Sequence, residues 1–229
     1  EEILDKLSFN TILSGSGSAE LTMITENNKG VQRTYTLRVL MKLDDGEHKQ
    51  FLEYLAPADV RGTKFLSISP DGEESQMWLF LPALGRERRI AAHMTGDSFM
   101  GTDFTYDEIA GNFDYEIDYE ARRLSDKVEQ DLDCYVLELT AKDDSALYQA
   151  MQMWVWKEKL VPVKVEFYDN NQLLKTLTLS EFREVSDELI PHHVVMADNL
   201  QGTRTILEIA ELSQEELGDD LFPVRNLRR

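Results

Sequence analysis

Apolar and polar residues alternate along most of this chain, in short runs separated by turn-forming residues. The alternation is clearest in residues 31–42 and 161–168, and turns such as residues 44–46 (DDG) and 169–171 (DNN) separate the runs. Because successive side chains of a strand point to opposite faces, a period of two predicts strands. Many short strands at regular spacing predict a mainly β fold, one antiparallel sheet that is strongly curved or partly closed.

Two of the predicted strands depart from this alternation. Residues 77–81 and 147–156 are apolar at nearly every position, so both faces of each strand carry large apolar side chains. A single antiparallel sheet normally turns polar side chains to solvent on one face. Either helices and loops cover the second face, or one face lines a cavity, and composition leaves both readings open.

Helical spacing is confined to short stretches. Residues 1–13 carry Ile3, Leu4 and Leu7 at helical spacing, and Thr102 with Asp103 is expected to cap a helix that ends at Gly111. No repeat, low-complexity tract or composition shift marks a boundary. We therefore expect one domain over residues 1–229 with a few short helices.

Charge restricts the partners. The 229 residues carry a formal net charge of −19, which argues against nucleic-acid binding and against docking on anionic head groups. Electrostatic repulsion between copies that each carry this net charge favours a monomer. No apolar run approaches the roughly 20 residues of a membrane span, so stable membrane insertion is not expected. The sequence begins at Glu1 without a Met, and we expect that a signal peptide has been removed.

Signals for catalysis, metal or cofactor are weak. The single cysteine, Cys134, lies in an apolar run and is expected to be a small core residue. The four histidines lack metal-ligand spacing, and no nucleophile elbow, phosphate loop or dinucleotide fingerprint occurs. The carboxylates of Asp103, Asp107 and Glu108 are expected to be caps and solvated charges. We expect no enzyme activity, no metal and no cofactor.

An apolar loop and a basic run follow the strand at residues 77–81. Residues 98–104 (SFMGTDF) place three large apolar side chains beside flexible glycines, and such a loop must cover or bind something. The run at residues 86–90 (RERRI) stands out in so acidic a chain. Pairing of its arginines with neighbouring carboxylates is favoured over a role in head-group or partner contact.

Several segments resemble the outer-membrane lipoprotein-sorting protein family, which is LolA-like. They are residues 55–63 (LAPADVRGT), 78–82 (WLFLP), 99–104 (FMGTDF), 134–139 (CYVLEL), 160–164 (LVPVK) and 225–229 (RNLRR). The resemblance spans nearly the whole chain. It implies a half-open β-barrel whose short helices cover an apolar cavity, and a periplasmic carrier that takes up acyl chains of a lipid or lipoprotein and shuttles them toward the outer membrane.

The resemblance also implies a site and partners. The expected lipid-binding side chains are large and apolar: Trp78, Phe80, Met94, Phe99, Met100, Phe104, Met151, Met153, Trp154 and Trp156. Residues expected at the head group or a protein partner are Arg61, Arg86, Arg88 and Arg89. An inner-membrane transporter is the partner that the resemblance suggests. The alternative function is a lipid- or lipoprotein-sensing module that regulates a membrane partner.

The loop at residues 94–104 is interpreted as a lid over the cavity. On that interpretation, Phe99→Asp or Phe104→Asp is expected to abolish lipid uptake with only a modest loss of stability.

Overall fold

The computed structural model describes residues 3, 16–44, 46–70, 74–111, 118–143, 146–185 and 188–228. The strands are β1 (Gly17–Glu26), β2 (Gln32–Asp44), β3 (Glu47–Ala56), β4 (Lys64–Ser69), β5 (Gln76–Leu81), β6 (Arg86–Ile90), β7 (Tyr119–Arg123), β8 (Lys127–Glu129), β9 (Leu132–Ala141), β10 (Ala150–Trp156), β11 (Val161–Asp169), β12 (Gln172–Val185), β13 (Glu188–Asp198) and β14 (Thr203–Gln214).

Helices are short in the part of the chain that the structure describes. One α-helix, α1, covers Tyr106–Ala110, and 3₁₀ helices cover Pro82–Leu84, Ala92–Met94, Asp219–Leu221 and Val224–Arg228. Within those same residues no helix is both long and apolar enough to span a membrane. The helix predicted for residues 1–13 lies outside the described residues except for Ile3, which packs against the main apolar cluster.

All fourteen strands of the described residues belong to one antiparallel sheet. Its order is β6-β5-β4-β3-β2-β1-β14-β13-β12-β11-β10-β9-β7, and β8 also pairs with β9. The first and last strands meet at the centre, where β1 pairs with β14 from Gly17 opposite Gln214 to Glu26 opposite Arg204. The two ends of the sheet, at β6 and at β7 with β8, do not pair with each other. The predicted mainly β, partly closed fold is confirmed.

The alternation of side chains divides the sheet into two faces. One face carries the main apolar cluster, which joins residues of both halves of the sheet, such as Met77 of β5 and Met153 of β10. An open sheet brings its two halves into one cluster only by curving around it. This concave side is called the inner face below, and the opposite side is the outer face.

The outer face is covered in two places. The C-terminal segment packs Phe222 and Leu227 against Phe51 and Leu66 of β3 and β4. On the other half of the sheet, Trp154 of β10 packs with its neighbours Cys134, Val136 and Val163. These two clusters explain why the strands around residues 77–81 and 147–156 are apolar on both faces. Cys134 is fully buried, as the sequence predicts, and burial raises the pKa of its thiol.

Candidate functional site

The inner face is crossed by residues 91–111, called the inner segment below. This segment leaves β6, forms the 3₁₀ turn Ala92–Met94 and ends in α1. Phe99 and Phe104 of the segment belong to the main apolar cluster, with 0% and 3% of their surface exposed. The loop that the sequence marks as apolar therefore lies against the inner face.

A tight loop presents these two phenylalanines. The amide of Phe99 donates to the carbonyl of Phe104 at 2.8 Å, and the Thr102 hydroxyl donates to the Phe99 carbonyl at 2.7 Å. Met100 and Gly101 adopt left-handed backbone conformations, with φ of 51° and 78°. Glycine at position 101 makes this reversal possible at low steric cost.

The helix α1 is capped on both sides. Thr105 accepts a hydrogen bond from the amide of Glu108, and the Glu108 carboxylate accepts one from the amide of Thr105, which is a capping box. Gly111 ends the helix in the left-handed conformation. The end at Gly111 agrees with the prediction. The predicted cap at Thr102 and Asp103 is wrong, because Thr105 with Glu108 three residues later satisfies two free amides at once.

An aromatic cluster attaches the inner segment to β4. The ring of Phe99 lies 5.2 Å from that of Phe65 and 5.3 Å from that of Tyr106, and both pairs are edge-to-face. Rings at such angles gain about 0.5–1.5 kcal/mol beyond the burial of their area. The segment thus shares a packed aromatic core with one half of the sheet.

A second attachment joins the inner segment to the centre of the sheet. The hydroxyls of Thr203 and Thr205 on β14 donate to the two carboxylate oxygens of Asp103. The Thr205 hydroxyl oxygen lies 2.6 Å from its carboxylate oxygen. The amide of Asp103 donates in turn to the Thr205 hydroxyl at 2.9 Å. Thr205 is fully buried, so these bonds are shielded from water.

A third attachment reaches the far half of the sheet. The Tyr148 hydroxyl donates to Glu108 at 2.7 Å, and the ammonium group of Lys175 on β12 lies 3.3 Å from the same carboxylate. The Glu108 side chain is only 6% exposed. The expectation of caps and solvated charges is confirmed for Glu108 as a cap of α1, but it is wrong in that Asp103 and Glu108 are bonded to the sheet and not solvated. Each carboxylate binds a strand distant in sequence.

Away from the partnered carboxylates of Asp103 and Glu108, the inner face is a poor environment for charge. Burial raises the pKa of the hydroxyls of Tyr54, Tyr106 and Tyr119, and burial lowers the pKa of His48 despite its hydrogen bond to the Ala110 backbone. All four shifts favour the neutral form, as expected where water is excluded. The face can hold apolar groups and neutral polar groups. Within the described residues, no group of three or more potential metal ligands is present.

The structure separates the residues that the sequence assigns to lipid binding. Those on the inner face or packed against its cluster are Met94, Phe99, Met100, Phe104, Met151 and Met153. Those on the outer face are Trp78, Phe80, Trp154 and Trp156. A role in lipid binding stays a prediction for all ten, but the two groups cannot contact one ligand at once.

The four arginines are also divided. On the edge strand β6, Arg86 and Arg88 lie on the same face as the inner-facing Ile90, whereas Arg89 points to the outer side. Charged residues on such an edge oppose pairing with another sheet. Arg88 approaches the Met94 sulfur at 3.6 Å, and no ion pair joins the three arginines to a carboxylate of the described residues. The expected pairing is absent there.

Arg61 lies in the loop between β3 and β4. Its guanidinium Nε donates to the carbonyl of Leu55 at 2.9 Å, and Asp59 of the same loop pairs with Arg33 of β2. Arg61 therefore stabilises the loop through the backbone. Contact of Arg61, Arg86, Arg88 or Arg89 with a head group or a protein partner stays a prediction.

Sequence reasoning missed the polar residues that hold the inner segment. Tyr148, Lys175, Thr203 and Thr205 carry no local motif, and only the sheet order brings them to Asp103 and Glu108. One local signal was present, the spacing of a capping box from Thr105 to Glu108. It locates the start of α1 but not the partners of the Glu108 carboxylate.

These features define a class of protein, an open and strongly curved antiparallel sheet whose apolar inner face is covered by a short segment of the same chain. A family model described as "Uncharacterized protein" matches residues 46–229, and no curated protein matches the chain in sequence. A solved domain from Vibrio parahaemolyticus, assigned to outer membrane lipoprotein sorting, is 31% identical. The match covers 94% of this chain and 92% of the Vibrio domain, with a TM-score of 0.85. The chain belongs to this outer membrane lipoprotein-sorting, LolA-like family.

Two further solved structures share the fold. A DUF1329 family protein from Desulfovibrio piger is 24% identical, covers 98% of this chain over 94% of its own, and has a TM-score of 0.87. A LolA superfamily protein from Nitrosomonas europaea is 25% identical, covers 97% of this chain over 96% of its own, and has a TM-score of 0.72. The similarity in each case extends over the whole curved sheet.

Proposed function

We propose that this protein is a non-catalytic periplasmic carrier that binds the acyl chains of a lipid or lipoprotein against its inner face and shuttles them toward the outer membrane. Family membership supports the carrier reading. The observation that carries it is the inner segment, because Phe99 and Phe104 occupy the apolar inner face as a ligand's chains would.

The free energy of burying an acyl chain is large enough to replace the contacts of Phe99 and Phe104 with the inner face. Transfer of an acyl chain from water to an apolar site gains ~0.8 kcal/mol per CH₂, or roughly 12 kcal/mol for sixteen carbons. Burial of a phenylalanine gains about 1.5–3 kcal/mol, and a hydrogen bond to a charged group about 1.5–3 kcal/mol. One long chain can therefore offset the contacts of two phenylalanines and a few hydrogen bonds.

The mechanism that follows is partition and release. The inner segment detaches from β4, β14 and β12, acyl chains replace its aromatic side chains, and return of the segment expels them. The methionines of the inner face, such as Met151 and Met153, adapt to chains of different shape. A membrane partner, for which an inner-membrane transporter is the candidate, would set the direction.

The first test is native mass spectrometry of protein purified without detergent, followed by a transfer assay between vesicles with a fluorescent acyl lipid. We expect near-stoichiometric lipid and transfer that rises in proportion to protein concentration. A protein that neither retains nor transfers lipid would contradict the proposal. Bound lipid without transfer, together with a stoichiometric membrane partner, would favour the sensing module instead.

A further inference from the structure

A polar patch on the inner face lies where β3 and β4 pair, apart from the polar contacts of Asp103 and Glu108. Gln50 of β3 is 2% exposed and Ser67 of β4 is 0% exposed, and the two residues are directly opposite each other in the sheet. His48 and Ser69 are the next opposed pair on the same face. The neighbouring positions Leu52 and Phe65 belong to the main apolar cluster. Polar side chains at this depth require partners.

Gln50 lacks one of those partners. Its Nε2 donates to the sulfur of Met41 at 3.7 Å, while its buried Oε1 accepts no hydrogen bond. A thioether can only accept, so this contact fixes which end of the amide is nitrogen. A buried carbonyl without a donor is costly, and an apolar side chain would pack there without that cost. The orphaned atom is therefore a candidate for ligand contact.

The inner segment closes this patch. His48, two residues before Gln50 on the same face, lies beside Gly111 at the end of α1. A Cβ on Gly111 would lie 3.8 Å from the His48 ring. Detachment of α1 therefore uncovers the end of β3 that carries Gln50. Phe65, which packs against Phe99, precedes Ser67 by two residues on the same face of β4, so the polar pair adjoins the apolar surface beneath the inner segment.

We propose that Gln50 and Ser67 form a polar subsite that takes the amide of an N-acylated ligand when its acyl chain lies on the inner face. An amide N–H can donate to the Gln50 Oε1. The Ser69 hydroxyl accepts from Ser75 and can donate to the Ser67 oxygen 3.4 Å away, so the Ser67 hydroxyl can donate to the amide carbonyl. An ester supplies an acceptor but no donor, so it leaves Gln50 unpaired. The inference rests on the proposed carrier function and specifies the class of its ligand.

A matched ligand pair tests the subsite. Delipidated full-length protein is titrated with N-methyldodecanamide and with methyl dodecanoate, which differ in the N–H group and share the acyl chain. We expect the amide to bind about five- to tenfold more tightly than the ester, which corresponds to the net contribution of one hydrogen bond. Equal affinities would overturn the subsite and leave the carrier function intact. Binding of neither ligand would overturn both.

Two variants assign the preference to residues. Gln50→Met removes the orphaned carbonyl at similar volume, so it should raise the melting temperature while abolishing the preference for the amide. Ser67→Ala removes only the donor to the carbonyl, so it should weaken the amide and the ester alike. A Gln50→Met protein that keeps the preference would contradict the assignment.

Amides of this kind occur on N-acylated polypeptides and on amide-linked lipids. N-dodecanoyl-Gly-Ser-amide, titrated in parallel, distinguishes the two sources. Tighter binding of the peptide than of N-methyldodecanamide would assign an acylated polypeptide, and equal binding would assign the amide group itself. Weaker binding of every amide than of the ester would overturn the subsite.

Discussion

Asp103 and Thr205 form a reciprocal contact, in which the Thr205 hydroxyl accepts from the Asp103 amide at 2.9 Å and donates to the Asp103 carboxylate at 2.6 Å. The two residues are 102 positions apart. Their contact attaches the inner segment to the central strand β14. If ligand entry requires detachment of this segment, the strength of the contact controls access to the inner face.

Thr205→Val should loosen the inner segment. The substitution keeps the shape and removes the hydroxyl, so we expect a loss of about 1–3 kcal/mol in the free energy of unfolding and faster amide hydrogen exchange in residues 98–110. Fluorescent fatty acid should also enter faster. Thr178→Val on the outer face of β12 is the matched control, because Thr178 is half-buried there. An unchanged exchange rate in Thr205→Val would show that the contact does not hold the segment.

A disulfide between the same positions should lock the segment. The Thr205 hydroxyl contacts both the amide and the carboxylate of Asp103, so Asp103→Cys with Thr205→Cys is the pair chosen to be joined by oxidation. Cys134 is buried and should not compete. We expect the oxidised protein to exclude lipid and the reduced protein to take it up, as measured by fluorescent fatty acid binding. Equal uptake in both states would remove the segment from the entry path.

Phe99→Ala should strongly destabilise the protein. Phe99 is fully buried between Phe65 and Tyr106, so truncation leaves a cavity and should cost about 3–5 kcal/mol in chemical denaturation. Leu84→Ala, at a position 60% exposed, is the control and should cost less than about 0.5 kcal/mol. This burial also revises the expectation from sequence that Phe99→Asp is only modestly destabilising, because an unpaired charge would be buried.

Tryptophan fluorescence should report which face holds the ligand. All three tryptophans, Trp78, Trp154 and Trp156, lie on the outer face. A bromine atom on an acyl chain quenches indole only at close contact, so a brominated fatty acid bound to the inner face should leave wild-type emission nearly unchanged. Phe167→Trp places an indole on the inner face, and its emission should be quenched. Quenching of the wild-type protein instead would locate the lipid on the outer face.

Acid should weaken the attachment of the C-terminal segment. The Arg228 guanidinium donates twice to Glu87, and chiefly through these bonds the pKa of Glu87 falls from 4.5 to about 2. A lowered pKa in the folded state means that the contact stabilises fully above about pH 4.5 and is lost as the pH falls toward 2. The difference in unfolding free energy between wild type and Glu87→Gln should close across that interval. A difference independent of pH would argue against the ion pair.

The sequence determined the family and most of the strands, because both depend on local patterns; the basic edge strand β6 was not expected as a strand. Alternation with a period of two sets the strand positions, and turn residues such as Asn170 and Asn171 adopt the left-handed conformations that reversals need. The burial of Cys134 and the end of α1 at Gly111 were likewise predictable from their neighbours in the chain. The segments around residues 55–63 and 99–104 were enough to indicate the family.

Only the tertiary structure decided which apolar residues meet on the inner face. Phe80 and Trp154 are as apolar as Phe99, but the C-terminal segment and neighbouring strands cover them on the outer face, and alternation alone cannot choose between two apolar faces. The partners of Asp103 and Glu108 lie 102 and 67 residues away on β14 and β12. A contact of that range depends on the order of strands in the sheet, which no local pattern encodes.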